Sequence, residues 1–384
     1  MVTFSSEPEG QTLPDVAVVV PVIGEAPFLD AALASLDYSM RMEILLIEDG
    51  PPLGRTRPGG FPIKYLSTGR QAGPSVARNQ GIWATRAPFV AFLDADDLHT
   101  PGHLARCIAE LERSGAGAVA GTARWVDAAG IPLGVSDWTW NGFEGARAMG
   151  GLLVRNQIAT PTVLARRDLL MKLNGFDSGL AHAEDYDLWL RIAHHGSWSY
   201  LASVEAHVRR HDENTSSDLA AHLTAERMIL ERWPIDCVRA AFERLYPDSA
   251  ASRALAMANH AFKVRSETLF LGALTELERL DPAGTSRFFL LGTWDLMRGR
   301  TADALSVLEQ GCRMHGVAAE LWNNFGVALA HCGRLEAARQ AFEQARSLRP
   351  GYRDPNINLA LLDPGCPQAL AITERILREA LPPP

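Results

Sequence analysis

The stretch Pro88-Phe89-Val90-Ala91-Phe92-Leu93-Asp94-Ala95-Asp96-Asp97 places an apolar run directly before three carboxylates. The apolar part predicts a strand buried on both faces, so the acids fall at its carboxyl-terminal end. Ligands of open α/β sheets bind at that edge. Two carboxylates at positions i and i+2 on such a turn can face one Mg²⁺ or Mn²⁺ ion, whose remaining positions phosphate oxygens fill. The alternative is an Asp-rich turn that caps the helix expected near Pro101.

Other apolar runs alternate with helical patterns on both sides of this strand. The predicted strands cover residues 16–22, 43–48, 63–66, 116–126, 161–164 and 200–208, and the predicted helices cover 26–36, 74–85, 101–113, 142–156, 168–173 and 182–193. Such alternation implies βαβ units. We therefore predict an α/β domain over residues 15–217, with a mostly parallel, Rossmann-like sheet flanked by helices, after a loose polar segment at residues 1–14.

From about Asp218 onward the pattern predicts helices only, with a repeat of 34 residues. The unit from Trp322 to Pro350 matches the tetratricopeptide consensus, and steps back from Gly326 reach Gly292 and Ala258. Small residues recur where two helices must approach closely. We predict a helical linker at residues 218–249 and an all-α tetratricopeptide-like repeat domain at residues 250–384. The alternative is an unrelated helical bundle that is in phase by chance.

The composition limits the possible function classes. A chain of 384 residues is long enough for two domains, and its net charge of −8, without a Lys/Arg cluster, argues against a nucleic-acid partner. The five cysteines are scattered and form no C-x-x-C pair, which is typical of free thiols in a reducing compartment. No signal sequence and no apolar run of membrane-spanning length occurs. We therefore expect a cytoplasmic protein without an integral membrane segment.

Several short motifs occur in an order that is typical of one enzyme family. They are residues 18–21 (VVVP), 48–50 (EDG), 73–81 (GPSVARNQG), 92–97 (FLDADD), 175–177 (GFD) and 184–191 (EDYDLWLR). Together they resemble the inverting family 2 glycosyltransferases of GT-A fold. The resemblance implies a GT-A nucleotide-diphosphosugar transferase fold. It also implies a hexosyltransferase-type reaction, in which a sugar moves from a nucleotide diphosphate to an acceptor with inversion at the anomeric carbon.

The resemblance also suggests the catalytic and metal-binding residues. The general base would be Asp185, with Glu184 as the alternative and Asp187 as a structural acid. Asp96, helped by Asp94, would hold Mn²⁺ or Mg²⁺, which stabilises the charge of the departing diphosphate. His211 falls where many members of the fold place a histidine near the metal or the diphosphate, so we expect it to be a further ligand; the alternative is an ordinary surface histidine.

The residues expected to bind the nucleotide sugar are assigned from their positions in the family motifs. The resemblance assigns it to a set of residues after the first, second and fourth strands, namely Pro21, Val22, Glu25, Asp49, Asp94 and Ala95. For Arg78 and Asn79 two roles stay open, contact with the nucleotide or bracing of the metal-binding turn. The chain has Pro51 where the family has Ser, and Val22-Ile23-Gly24 where it has Thr-Tyr-Asn. These departures leave the base open, although a UDP-sugar is the expected donor.

Other aromatic and imidazole side chains receive simpler interpretations. His99, His103, His194 and His195 show no metal-ligand spacing and are assigned to the surface or to helix faces. The tryptophans at positions 138 and 140 either stack on an acceptor sugar or pack in the core.

Two other function classes compete with sugar transfer. The first is an inactive GT-A/tetratricopeptide scaffold that binds peptide or protein partners, against which the presence of all three acids, Asp94, Asp96 and Asp185, argues. The second is a nucleotidyltransferase or oxidoreductase, which would need a glycine-rich phosphate loop that the chain lacks. For the repeats we expect either docking of a peptide or protein acceptor, or homodimerisation of an enzyme whose acceptor is a glycan.

Overall fold

A computed structural model describes residues 13–54, 63–133, 144–210, 219–362 and 369–374. The chain divides into two compact units between Ile229 and Leu230. The first unit combines strands and helices, and the described residues of the second contain helices and no strand. Within the described ranges, no helix has the length and apolar character needed to cross a membrane.

The described residues of the first unit form an eight-stranded sheet. Its strands are β1 (Val16–Val22), β2 (Met42–Glu48), β3 (Ile63–Ser67), β4 (Phe89–Phe92), β5 (Leu98–His99), β6 (Ala118–Val126), β7 (Leu164–Arg166) and β8 (Trp198–Arg209). Its helices are α1 (Leu29–Ala34), α2 (Pro74–Ala84), α3 (His103–Ser114), α4 (Ala148–Val154), α5 (Arg167–Lys172) and α6 (Glu184–His195), and α7 (Leu219–Glu231) leads into the second unit.

The strand order is β3-β2-β1-β4-β7-β6-β8-β5. The first four strands run parallel, so their carboxyl ends meet at one edge of the sheet. In this register Val22 of β1 lies opposite Glu48 of β2, and Val19 lies opposite Phe92 of β4. The turns that follow these three strands therefore carry Asp49 and Asp94 to the same edge.

The predicted α/β class is confirmed, and most of the strand pairing is parallel, with shorter antiparallel pairings at β7 and β5. β7 pairs antiparallel with both β4 and β6, and β5 pairs antiparallel with β8. The strand predicted at residues 161–164 begins later, since Thr160–Thr162 forms a short 3₁₀ turn. Pro161 has no N–H to donate to a neighbouring strand, which favours this turn.

An aromatic cluster joins the fourth strand to helix α6. The Phe92 ring meets the Phe176 ring edge-on, with centroids 5.3 Å apart, and Phe176 lies 6.0 Å from Trp189 of α6. Trp189 in turn contacts Trp198 of β8 at 5.6 Å. Such edge-to-face contacts add to the burial of large apolar side chains. The cluster fixes the start of α6 relative to the turn that follows Phe92.

The second unit consists of helices α8 (Ile235–Leu245), α9 (Ala250–Lys263), α10 (Glu267–Leu280), α11 (Thr285–Met297), α12 (Thr301–Met314), α13 (Ala319–His331), α14 (Leu335–Leu348) and α15 (Arg353–Leu362). Helices α10, α12 and α14 begin 34 residues apart. The predicted all-α organisation and its period are thus present in the structure.

Close contacts between paired helices repeat with the same period. A Cβ added at Gly292 of α11 would overlap the Leu308 side chain of α12, and one at Gly326 of α13 would lie 2.5 Å from the Phe342 ring of α14. Each contact joins a glycine to the residue 16 positions later. Glycine at these positions lets the two helices of a pair approach closely, which explains the recurrence of small residues in the sequence.

Candidate active site

The acids after β4 lie on a turn at the carboxyl edge of the sheet. Asp94 and Asp96 are half-buried, whereas Asp97 is buried. The Asp97 N–H donates to the Asp94 carbonyl at 3.1 Å, which closes the turn. A turn with two partly accessible carboxylates is an oxygen-rich donor set of the kind that Mg²⁺ and Mn²⁺ prefer. Asp94 and Asp96 therefore fit the predicted role.

A buried guanidinium connects this turn to helix α6. Arg78 of α2 is 5% exposed, donates to Asp94 Oδ1 at 2.7 Å and donates to Glu184 Oε1 at 2.7 Å. Its guanidinium also lies 5.4 Å from the centroid of the Phe176 ring. Burial disfavours ionisation of Arg78, but the charges of Asp94 and Glu184 outweigh it and raise its pKa. Of the two predicted roles for Arg78, these contacts favour bracing of the turn.

The backbone at the start of α6 positions the next acid. Ala183, a buried residue, has a φ of 57°, which non-glycine residues seldom adopt. This conformation directs the first turn of α6 so that Glu184 reaches Arg78 and Asp185 follows it. Asp185 Oδ2 accepts a hydrogen bond from Thr160 Oγ1 at 3.3 Å, and its Oδ1 accepts one from the Tyr186 N–H at 2.6 Å.

The electrostatic environment of Asp185 is that of a base suited to neutral pH. Burial and the adjacent charge of Glu184 raise its pKa from 3.8 to about 7, while Arg78 and the two hydrogen bonds oppose the shift. Glu184 is already committed to its ion pair with Arg78. These features favour Asp185 over Glu184 as the candidate base.

Asn79 acts as a brace between α2 and the segment before α6. Its Nδ2 donates to the Phe176 carbonyl at 2.8 Å, and its Oδ1 accepts from the Phe176 N–H at 2.7 Å. Gly175 has a φ of 62°, and a Cβ there would overlap the Asn79 side chain. Both ends of the amide are therefore engaged, which favours the bracing role over the nucleotide contact predicted for Asn79.

Asp49 holds the loop between β3 and α2. Its two carboxylate oxygens accept the N–H groups of Ala72 at 2.8 Å and Gly73 at 2.9 Å, and Thr68 Oγ1 donates to it at 3.1 Å. The Asp49 N–H donates to the Val22 carbonyl at 2.7 Å. Asp49 thus stands at the predicted edge, where its contacts order the loop that leads into α2.

The remaining predicted nucleotide contacts surround the same edge. Pro21 is half-buried, Val22 is buried and Glu25 is exposed. Ala95 packs against the core beneath the acidic turn. Since the side chain of Val22 is directed into the core, only its main chain is available to a ligand.

A buried link from the acidic turn to β8 was not anticipated from the sequence. Asp97 Oδ1 accepts the Arg209 N–H at 2.8 Å, and Arg209 Nε donates to the Asp96 carbonyl at 2.8 Å. The Arg209 guanidinium also stacks over the Phe28 ring at 4.5 Å. Burial and the charges of Asp96 and Asp94 raise the pKa of Asp97 well above its usual range. In the sequence, Asp97 as the third acid of the motif indicates that such a link could exist. Its partner Arg209 lies more than 100 residues away, so the sequence does not identify it.

Asp187 has the structural role expected for it. It is buried and pairs with Arg191 at 2.7 Å, four residues further along α6. Arg191 then donates to the carbonyls of Leu173 and Gly175, both at 2.8 Å. These contacts hold α6 against the turn that precedes it.

Of the histidines assigned to the surface or to helix faces, His194 and His195 are exposed and His103 lies on a buried face of α3, whereas the assignment was wrong for His99, which is buried in β5. His99 Nε2 lies 3.1 Å from the Phe92 carbonyl, and His103 Nδ1 lies 2.9 Å from Glu205 Oε2. Both histidines fill the space between α3 and the sheet, which the sequence pattern alone did not indicate.

His103, Cys107 and Glu205 lie close enough together to resemble a metal-ligand cluster. However, Glu205 already forms an ion pair with Arg106 at 2.8 Å and contacts His103 directly. The positive charge of Arg106 opposes a cation there. We therefore interpret the cluster as a buried polar network that fastens α3 to β8.

Three predicted residues lie outside the described part of the chain. They are His211, a proposed metal ligand, and the tryptophans at positions 138 and 140. Their roles stay predictions.

Comparisons with known proteins concern mainly the first unit. Residues 17–172 match the family described as Glycosyl transferase family 2. The succinoglycan biosynthesis protein ExoO of Rhizobium meliloti is 31% identical over 111 residues, which cover 27% of this chain and 32% of that protein. The uncharacterised glycosyltransferase EpsJ of Bacillus subtilis is 30% identical over 112 residues, covering 27% and 32%. The O-antigen biosynthesis glycosyltransferase WbnJ of Escherichia coli is 32% identical over 71 residues, covering 18% and 28%.

The chain thus aligns with about a third of the length of these relatives. Among solved structures, S. aureus TarS 1-349 in complex with UDP-GlcNAc is similar with a TM-score of 0.47 and 15% identity, covering 87% of this chain and 92% of that one. This structural similarity is too distant to bear on the substrate. The family match supports the GT-A glycosyltransferase fold for the first unit, and it ends before Glu184 and Asp185.

Proposed function

We propose that the chain is a glycosyltransferase that moves a sugar from a nucleotide diphosphate to an acceptor with inversion. The observation that carries the proposal is the Arg78 bridge, which ties Asp94 of the acidic turn to Glu184, the neighbour of Asp185. The buried guanidinium of Arg78 thereby connects the carboxylate proposed to lie near the diphosphate with the carboxylate next to the proposed base. Single displacement requires these two functions in one cavity, on opposite sides of the anomeric carbon.

The donor is proposed to bind at the carboxyl edge of β1, β2 and β4. The main chain after Val22, together with Asp49 and Glu25, borders the space for the base and ribose. Asp94 and Ala95 border the diphosphate. We take a UDP-sugar as the first donor to test, since the resemblance favours it.

The acidic turn is proposed to hold a divalent cation through Asp96 and Asp94, with His211 as a further ligand. Bound there, Mn²⁺ or Mg²⁺ would neutralise charge on the leaving diphosphate. Arg78 fixes the orientation of Asp94, so one carboxylate of the pair is held in place before any ligand binds. Asp97 and Arg209 hold the turn from below.

Asp185 is proposed to accept the proton of the acceptor hydroxyl. As that oxygen forms its bond to the anomeric carbon, the bond from carbon to the diphosphate oxygen breaks, and its electron pair leaves with the diphosphate. With a pKa of about 7, Asp185 is partly ionised at neutral pH and still basic enough to take the proton. Glu184 contributes by raising that proton affinity.

Donor turnover tests the proposal without knowledge of the acceptor. The full chain, supplied with Mn²⁺ and a panel of nucleotide sugars, is expected to hydrolyse one donor slowly, and chelation with EDTA is expected to stop the reaction. Asp185→Asn should lower the rate of donor hydrolysis by about 10²-fold or more, as expected for loss of the general base that activates the attacking water. Asp168→Asn, which alters an exposed acid of the same unit, is the matched control and should behave as wild type.

The outcomes separate the proposal from its rivals. An NMR spectrum of the first product with retained anomeric configuration would exclude single displacement. Absence of turnover with every donor, together with an unchanged melting temperature on addition of UDP and Mn²⁺, would favour the inactive scaffold that binds peptide or protein partners.

A further inference from the structure

The helical unit contains a line of completely buried asparagines. Asn323 and Asn324 lie on α13 and Asn358 lies on α15, and each has a relative exposure of 0%. Burying an amide side chain is costly unless its donors and acceptors find partners. Asn324 and Asn358 are 34 residues apart, so they occupy equivalent positions in successive repeats. Each of these buried amides therefore needs hydrogen-bond partners at the corresponding place in its repeat.

That partner is the main chain of a segment near the end of the protein. Asn358 Nδ2 donates to the Ala371 carbonyl at 2.9 Å, and its Oδ1 accepts the Ala371 N–H at 2.6 Å. Asn324 makes the same pair of bonds with Thr373, since its Nδ2 donates to the Thr373 carbonyl and its Oδ1 accepts the Thr373 N–H, both at 2.9 Å. Each of these two repeats thus binds the main-chain N–H and carbonyl of one residue, and the two bound residues are two positions apart in the segment.

One side chain of the segment is also recognised. The Thr373 hydroxyl donates to Asp354 Oδ2 at 2.7 Å, accepts from Asn323 Nδ2 at 3.1 Å and contacts the Tyr352 hydroxyl. Thr373 is 3% exposed. A buried, fully bonded hydroxyl gives specificity, because a residue without it would remove the donor to Asp354 and the acceptor of one Asn323 bond.

The segment itself has the geometry of a bound ligand rather than of a repeat helix. Residues 370–374 form neither helix nor strand. Leu370 and Ile372, on either side of Ala371, pack against the helical core. Glu374 pairs with Arg265 at 2.5 Å, but both groups are about a third exposed, so this pair adds little.

We propose that this face of α13 and α15 is a binding site for extended peptides, and that residues 370–374 are its intramolecular ligand. The ligand class is an extended segment with a threonine at the position of Thr373 and an apolar residue before it. Because four of the bonds go to main-chain atoms, other segments with this pattern can take the same place. The tethered segment competes with them at an effective concentration on the order of millimolar.

The proposal is tested by weakening the binding of residues 370–374 while leaving the proposed site on α13 and α15 unchanged. Ala371→Pro in the full chain removes the N–H that Asn358 accepts. A fluorescent peptide with the wild-type sequence of residues 368–376 is then titrated against both chains, with anisotropy as the readout. We expect the peptide to bind the Ala371→Pro chain at least about 10-fold more tightly than wild type, because the competing segment is weakened.

Groove and peptide variants supply the matched controls. Adding Asn324→Ala to the Ala371→Pro chain should reduce peptide binding about 10-fold or more, and a peptide that carries Thr373→Val should bind more weakly than the wild-type peptide. Equal binding of the peptide to wild type and to the Ala371→Pro chain would overturn the proposal. So would unfolding of the helical unit by Ala371→Pro, since it would make the segment a fixed part of the fold.

Hydrogen exchange gives a second measurement on the unmodified chain. The amides of Ala371 and Thr373 should be protected, and excess peptide should increase their exchange while the helices stay protected. Rapid exchange at both amides before peptide is added would contradict the intramolecular contact. These measurements need no sugar donor, so their failure is distinct from a failure of the glycosyltransferase proposal.

Discussion

Replacing the proposed base should make the first unit more stable as well as inactive. Asp185→Asn keeps the size of the side chain but removes a charge that the folded state holds next to Glu184. Burial and that neighbouring charge raise the pKa of Asp185 from 3.8 to about 7. Above pH 7 the folded protein therefore carries this carboxylate in its ionised form at a free-energy cost, which the asparagine variant avoids.

The size of the effect follows from the pKa shift. Stability falls with pH wherever the folded state binds more protons than the unfolded state. For Asp185 that window extends from its ordinary value of 3.8 to about 7. At about 1.36 kcal/mol per pKa unit, the free energy of unfolding falls by about 4 kcal/mol over the whole window. The side chain of Asp185 is only half-buried, and part of the window lies below pH 5. We therefore expect ionisation of Asp185 to lower the free energy of unfolding by about 2 kcal/mol between pH 5 and pH 8.

The assay is urea unfolding at pH 5, 6, 7 and 8, with hydrogen exchange mass spectrometry to separate the transitions of the two units. The stability of Asp185→Asn relative to wild type should grow by about 2 kcal/mol over this range. Asp187→Asn is the matched control on the same helix. Because Asp187 forms an ion pair with Arg191, its replacement should destabilise the unit. A difference between Asp185→Asn and wild type that is the same at pH 5 and pH 8 would refute the reasoning.

Three further predictions concern the same residues and the helical pairs. The pH profile of kcat/KM should rise through about pH 7 as Asp185 ionises, and a profile flat from pH 5 to 9 would contradict its role as base. Arg78→Gln should lower stability by about 3–5 kcal/mol in urea unfolding, because it leaves two carboxylates without their buried partner; wild-type stability would show that the bridge is dispensable. Gly326→Val should destabilise the helical unit by about 1–3 kcal/mol through overlap with Phe342, whereas Gly272→Ala, where a Cβ meets nothing within 4 Å, should be neutral or stabilising by about 0.5–1 kcal/mol. Equal melting temperatures of these two glycine variants would contradict the packing argument.

The elements of the fold were largely predictable because their signals are local. The runs at Val16–Val22 and Phe89–Phe92 gave strands at the expected places. The 34-residue period reappears in the starts of α10, α12 and α14. The local pattern missed the short strand β5 at Leu98–His99, and it placed β7 a few residues too early, because Pro161 favours a 3₁₀ turn.

The roles of the polar residues depended on partners that no local pattern contains. Arg78 meets Glu184 across 106 positions, and Asn79 meets Phe176 across 97. The sequence left two roles open for each, and the contacts favoured bracing. His99 was expected at the surface or on a helix face, yet it lies in β5 and is buried.

The sequence by itself determined which residue types stand at which ends of strands and helices, since hydrophobic periodicity and turn residues act between neighbours in the chain. It therefore determined the acidic turn at Asp94 and the helix that begins with Glu184. Only the tertiary structure decided that Arg78 joins them, that Asp185 has a raised pKa, and that Asn324 and Asn358 bind the main chain of residues 371 and 373. These features depend on burial and on contacts between distant segments, which exist only once the chain is folded.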